Sequence, residues 1–186
     1  MADKTRDQLI EEIVGIELRM FLAVETPEPM PSACQEQPDM LKLMRRASHW
    51  VLSDETLKSY LQDIQEAIEE DRNLMMLKYA RIDNMIPILN NNPLIDKIVD
   101  IESQWFQELA EKYPLTFKGR SDYSANVYLR SELETYSDRT LELYYKDISK
   151  AVTEGRNLTS NRYTYIFQQS GYSSIEEMEQ DMRKRQ

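Results

Sequence analysis

Cysteine and histidine each occur once in the 186 residues, as Cys34 and His49, and this scarcity closes off several chemistries. One cysteine cannot form an intramolecular disulfide. With one histidine beside it, the chain falls short of the four N/S ligands of a structural zinc site. Glycine (4) and proline (7) are also few, which favours helices over a turn-rich β fold. No apolar run approaches the roughly 20 residues of a membrane helix, and the opening MADKTRDQ has no apolar signal-peptide core. A cytoplasmic location is the expectation. There is no glycine-rich phosphate loop and no interleaving of basic and aromatic residues. A net charge of −10 argues against nucleic acid or an anionic membrane as partner, since both select a basic face.

What the chain does have is a near-copy of itself. Ser53–Ile82 (SDETLKSYLQDIQEAIEEDRNLMMLKYARI) and Ser137–Ile166 (SDRTLELYYKDISKAVTEGRNLTSNRYTYI) share 14 of 30 residues at a constant offset of 84. Upstream, Leu9–Leu22 matches Leu94–Gln107 at 7 of 14 positions, at an offset of 85. Self-similarity at a fixed period is the signature of a repeated structural unit. The expected fold is all-α: a tandem duplication of a multi-helix unit, packed as one pseudo-twofold helical bundle. That makes residues 1–186 one domain with repeats at 9–88 and 94–170 and a final helix at 174–184.

Local signals place the elements. Leu9, Ile10, Ile13, Val14, Met20 and Phe21 recur at helical spacing, with Asp7 a plausible cap. The stretch Glu25–Pro38 holds four of the seven prolines and Cys34, and reads as a loop. A second helix is expected over Asp39–Val51, with Met40, Leu43, Met44, Ala47 and Trp50 or Val51 facing inward. Ser53 caps a third. Asp71 and Gly155 stand at matching turns that suit a left-handed helix end, and Asn73 and Asn157 are N-caps for the helices that follow. The fourth helix should end near Met85, before Pro87. Asn92 with Pro93 restarts the pattern, the loop Lys112–Ser124 answers the proline loop, and a helix over Ala125–Tyr136 follows it.

The sharpest chemical signal is a carboxylate in an apolar stripe, present in both copies. Glu17 shares its helix face with Ile13, Val14, Met20 and Phe21; Glu102 shares its own with Ile98, Val99, Trp105 and Phe106. Burying a charge there is expensive unless it is paired or coordinating. One reading is a structural ion pair with the recurring Arg46/Arg130 or Arg72/Arg156. The other is a carboxylate pair at the bundle interior, holding a divalent metal with His49 or doing acid–base work with a raised pKa. No Glu-x-x-His motif of the helical di-metal proteins is present. Tyr60/Tyr144 and Tyr79/Tyr163 recur in both copies, and their hydroxyls are candidates to satisfy the two glutamates, beside the commoner role of aromatic core residues with a polar tip. Arg46, Arg130, Tyr79 and Tyr163 are candidates to hold a cofactor. Catalytic candidates are Glu17, Glu102, His49 and Cys34, the thiol lying in the proline loop where His49 or Arg46 could activate it after folding.

LIEEIVGIELRMF, Ala33-Cys34-Gln35, RNLMMLKYARI and YLRSELETYSDRTLELY together resemble a family of uncharacterised microbial proteins catalogued as domain of unknown function 4125. The likeness covers nearly the whole chain. It implies a soluble bacterial protein and carries no established activity or catalytic residue. Two functions are therefore set side by side. One is a helical scaffold that binds a protein partner or small ligand through its non-repeated loops, alone or as a homo-oligomer. The other is a metal- or cofactor-dependent enzyme using a buried Glu17/Glu102 pair.

Overall fold

The computed structural model describes residues 4–24, 37–120 and 122–185. Among them the structure is all-helical, with nine helices and no strands: α1 (Arg6–Leu22), α2 (Pro38–Trp50), α3 (Asp54–Glu69), α4 (Leu74–Ile82), α5 (Leu94–Lys112), α6 (Asp122–Leu133), α7 (Asp138–Thr153), α8 (Leu158–Gln169) and α9 (Ile175–Lys184). No helix is long and apolar enough to cross a membrane among the described residues.

Matching sequence signals produce matching local structure. Ser53 and Ser137 cap α3 and α7 through the N–H of Thr56 and Thr140. These two helices end in left-handed residues, Asp71 at φ 55° and Gly155 at φ 64°. Asn73 and Asn157 then cap α4 and α8. Their amides also reach back to the preceding long helices, Asn73 Nδ2 donating to the Met20 carbonyl (2.7 Å) and Asn157 Nδ2 to that of Trp105 (3.1 Å).

Some boundaries differ from expectation. Thr5, not Asp7, caps α1, through a capping box with Gln8. Helix α4 stops at Ile82, ahead of the expected Met85, because Asn84 takes the left-handed conformation at φ 54° and Met85 N–H closes onto the Ala80 carbonyl. Pro93 occupies the cap position of α5, while Asn92 Oδ1 accepts from Leu94 N–H. The face of α2 is turned: Met40, Met44 and Trp50 are exposed, and Arg45, Ala47 and His49 are buried. On that face Arg45 and His49 meet the buried carboxylate of Glu17, which would be left unpaired if the helix turned its methionines inward.

Helix α1 packs on α2, α3 and α4, and α5 packs in the same way on α6, α7 and α8. The two sets join where α3 meets α7, α2 meets α8 and α4 meets α6. At the α3–α7 contact the N–H of Ser53 donates to Asp147 (2.8 Å), and that of Ser137 donates to Asp63 (3.0 Å). One core built on Ile13, Leu57, Ile64, Ile98, Leu133, Leu141 and Ile148 runs through both sets. A smaller one, around Phe106, Tyr113, Phe117 and Phe167, lies under α9. The loop after α5 is held there, with Leu115 N–H, Thr116 N–H and Thr116 Oγ1 all donating to Glu179.

Candidate functional site

Arg45 and His49 stand four residues apart on α2 and so share one face. That face meets Glu17 of α1, whose side chain is fully buried. Arg45 donates to it from Nε (2.9 Å) and Nη2 (2.6 Å), His49 Nε2 lies 3.0 Å from Oε2, and Tyr60 of α3 donates to Oε1 at 2.8 Å. The same guanidinium turns its other edge to Glu132 of α6, with Nη1 at 2.9 Å and Nη2 at 2.8 Å. Lys78 of α4 (2.5 Å) and Tyr136 (2.9 Å) complete the surroundings of Glu132. Glu102 of α5 has a separate set: Arg162 of α8 at 3.0 and 2.8 Å, Thr159 at 2.6 Å and Tyr144 of α7 at 3.1 Å.

Counted atom by atom, each of the six oxygens of Glu17, Glu102 and Glu132 accepts two hydrogen bonds. That fills the capacity of a carboxylate. Burial on its own would push these carboxyls up, but the surrounding charge wins. Arg45 and His49 hold Glu17 down at about 2, against its usual 4.5. Glu102 is lowered chiefly by Arg162, and Glu132 well below the carboxylate range by Arg45 and Lys78. Tyr60, Tyr136 and Tyr144 are pushed up by burial and by these same anions, so they stay protonated as donors. The glutamates are therefore fixed anions. The sequence expectation of a raised, acid–base carboxyl meets the opposite direction in both.

A cavity of about 250 Å³ opens between α2, α4, α6 and α8. Arg45, His49, Lys78, Glu132, Arg162 and Glu102 supply its polar wall, and Phe106, Leu129, Tyr128 and Tyr163 much of the rest. Three cations balance three carboxylates once Glu17, behind Arg45, is included. At ~30 Å³ per water the space holds about eight waters, which suits a ligand well short of drug size.

A family model described as protein of unknown function (DUF4125) matches residues 7–180. The chain belongs to the DUF4125 family. No curated protein and no solved structure matches it.

In this DUF4125 protein the residues singled out from sequence divide sharply. His49, Glu102, Tyr144 and Tyr163 line the cavity, Tyr144 donating to Glu102, while Glu17 and Tyr60 pair with each other behind Arg45. Tyr79 packs between Phe21 and Tyr128. The expected ion-pair partners are displaced. Arg46 pairs with Glu11 and Arg130 with Asp96, both at the surface, while Arg72 and Arg156 pair with Glu70 and Glu154 two residues away. Arg45 and Arg162 take their place, because they are the cations whose helix faces point inward. Cys34 lies outside the described residues. Among the described residues no three His, Cys, Asp or Glu side chains converge to hold a metal.

Sequence reasoning missed Arg45, Lys78, Glu132 and Arg162. A signal was available in the aligned halves. Lys78 and Arg162 are cations at matching positions, and Arg45 and His49 stand opposite Leu129 and Leu133, where the second half is apolar.

Proposed function

We propose that the protein binds a small acid in the cavity between α2, α4, α6 and α8. One observation carries this reading: the carboxylates there are saturated, while donors remain unspent. An arginine has five N–H donors and a lysine three. Among the described residues, Lys78 spends one, on Glu132. Arg162 gives both Nη2 hydrogens and one Nη1 hydrogen to Glu102 and Tyr144, which leaves the second Nη1 hydrogen unspent. A ligand entering this space meets free N–H groups and closed carboxylate oxygens, and so must itself be rich in acceptors: a carboxylate or another oxyanion. The aromatic and aliphatic lining takes its carbon skeleton. The loop after α5 is already engaged by α9 of the same chain, which favours the interior over that loop as the binding place.

The chain is also read as a tandem duplication folded about a pseudo-twofold axis, one domain with repeats at 9–88 and 94–170. The reciprocal Ser53–Asp147 and Ser137–Asp63 bonds support it, as an interface between equivalent surfaces requires. So do the surface pairs Arg46–Glu11 and Arg130–Asp96 at matching positions. On this reading the cavity lies on the seam, and Arg45 and His49 are where the first half specialised.

The test is a melting-temperature screen against small mono- and dicarboxylates and phosphate monoesters. At least one acid should raise the melting temperature in proportion to the logarithm of its concentration. Lys78→Met should abolish the rise yet fold, because Glu132 keeps Arg45 and Tyr136. If no acid shifts the wild type, the reading is overturned.

A further inference from the structure

The wall of the cavity is polar within and apolar at its opening, which narrows the ligand further and rests on the acid-binding reading above. Arg45, His49, Lys78, Glu102, Glu132 and Arg162 line it, and none of these side chains is more than 17% exposed. Two large residues both line the cavity and reach solvent: Met44 of α2, 40% exposed, and Tyr128 of α6, 47% exposed. Ala125 is exposed there as well. Folded chains ordinarily show the reverse order, with apolar side chains inside and charged ones outside. Met44 and Tyr128 are related by the same offset of 84 that relates the two halves, so the opening is apolar on both of the helices that supply it. Met40, one turn before Met44, is 52% exposed and carries the apolar face onward over the surface. Lys78 Nζ lies 6.0 Å from the centre of the Tyr128 ring, which sets its spare hydrogens beside this opening. Ser48 and Asn126, also in the wall, already donate to the Met44 carbonyl and to Ser103.

We propose that the ligand is an unbranched aliphatic monocarboxylic acid whose tail leaves the cavity between Met44 and Tyr128 and lies along Met40. Its carboxylate takes the spare hydrogens of Lys78 and Arg162. One negative charge suits the site better than two, because the cations and carboxylates already present balance each other. At ~30 Å³ for each water-sized group, the cavity of about 250 Å³ holds a carboxylate and about five carbons. A longer chain must pass the opening, where it covers methionine and tyrosine surface otherwise left in water. Methionine fits this task, since its unbranched side chain adapts to a partner without fixed shape. The acid is taken free from solution and not as part of a bilayer, because a net charge of −10 is repelled by an anionic membrane.

The experiment is calorimetric titration of the full chain with butanoate, hexanoate, octanoate and decanoate, and with decanol as the same tail without the acid. Affinity should rise about fourfold per methylene up to hexanoate, the effect of burying each one. It should go on rising, by about tenfold to a hundredfold in all, from hexanoate to decanoate, where the chain is only half covered. Decanol should bind at least about tenfold more weakly than decanoate, having lost the charged hydrogen bonds. Met44→Gln keeps the length of an exposed side chain and makes it polar, and should shrink the hexanoate-to-decanoate gain by about threefold to tenfold. In protein labelled at its methionine methyls, the Met44 signal, assigned by that variant, should move with decanoate and stay with butanoate. No gain beyond hexanoate overturns the tail and leaves acid binding standing. A gain that Met44→Gln does not reduce overturns the path past Met44. If none of the four acids binds while another acid of the melting screen does, the aliphatic acid is overturned and the cavity reading stands. Decanol binding as tightly as decanoate, or no acid binding in either experiment, overturns this proposal together with its premise.

Discussion

The guanidinium of Arg45 grips both oxygens of Glu132, 87 residues further along the chain, while holding Glu17 with its other edge. One side chain thereby ties α1, α2 and α6 together, while Glu102 keeps its own partners on α7 and α8.

Removing that cation leaves two buried anions short of a partner. Arg45→Met should destabilise the fold by about 3–5 kcal/mol, the usual consequence of breaking a buried pair from one side. Arg45→Lys should recover only part of this, since an ammonium lacks the planar fork that serves two carboxylates. Urea unfolding followed by circular dichroism measures both.

The depressed carboxyls make stability depend on acid. Glu17 sits at about 2 when folded, against 4.5 ordinarily, and Glu102 and Glu132 are lowered too. A group lowered by folding contributes stability that is complete above its unfolded value and is lost as pH falls toward the folded one. The urea midpoint should therefore drop between about pH 4.5 and 2. Glu17→Gln should make that drop shallower while lowering the midpoint at neutral pH.

Tyr60 and Tyr144 each donate to one buried glutamate, at 2.8 and 3.1 Å. Tyr60→Phe and Tyr144→Phe each leave a carboxylate oxygen with one donor fewer. Either change should lower stability by about 1–3 kcal/mol by denaturant titration.

The left-handed turns invite opposite substitutions. Asp71→Gly should stabilise, because glycine adopts φ 55° without strain. Gly155→Ala should destabilise by about 1 kcal/mol, since a Cβ is disfavoured at φ 64° although space for it is open. Melting temperatures of the pair check the sign.

At the far end, Glu179 accepts the N–H groups of Leu115 and Thr116. Glu179→Ala should release the loop after α5, seen as faster amide exchange at Thr116 with protection in α1 and α3 unchanged.

Much of the framework was legible because its signals are local. The serine and asparagine caps, the left-handed turn at Asp71 and Gly155, and the stripes of α1 and α5 depend on residues within one or two turns of each other. The burial of Glu17 and Glu102 was legible for the same reason, as carboxylates inside apolar stripes, but recurrence pointed equally to Tyr60/Tyr144 and Tyr79/Tyr163, and only the first pair donates to them. The cation partners were not. Arg46 and Arg130 looked suitable because they recur, yet recurrence marks equal surroundings, and here the surroundings were the surface. The face of α2 was misread toward Met40 and Met44, since apolar periodicity cannot register the attraction of a distant anion.

The sequence alone determined an all-helical chain with two buried acids, because helix periodicity and capping act over a few residues. Which cations meet those acids, that Lys78 and Arg162 keep donors to spare, and that His49 comes to line the cavity were decided only by folding. Those pairings join residues as much as 87 positions apart, and the distance between such partners is set by how whole helices pack.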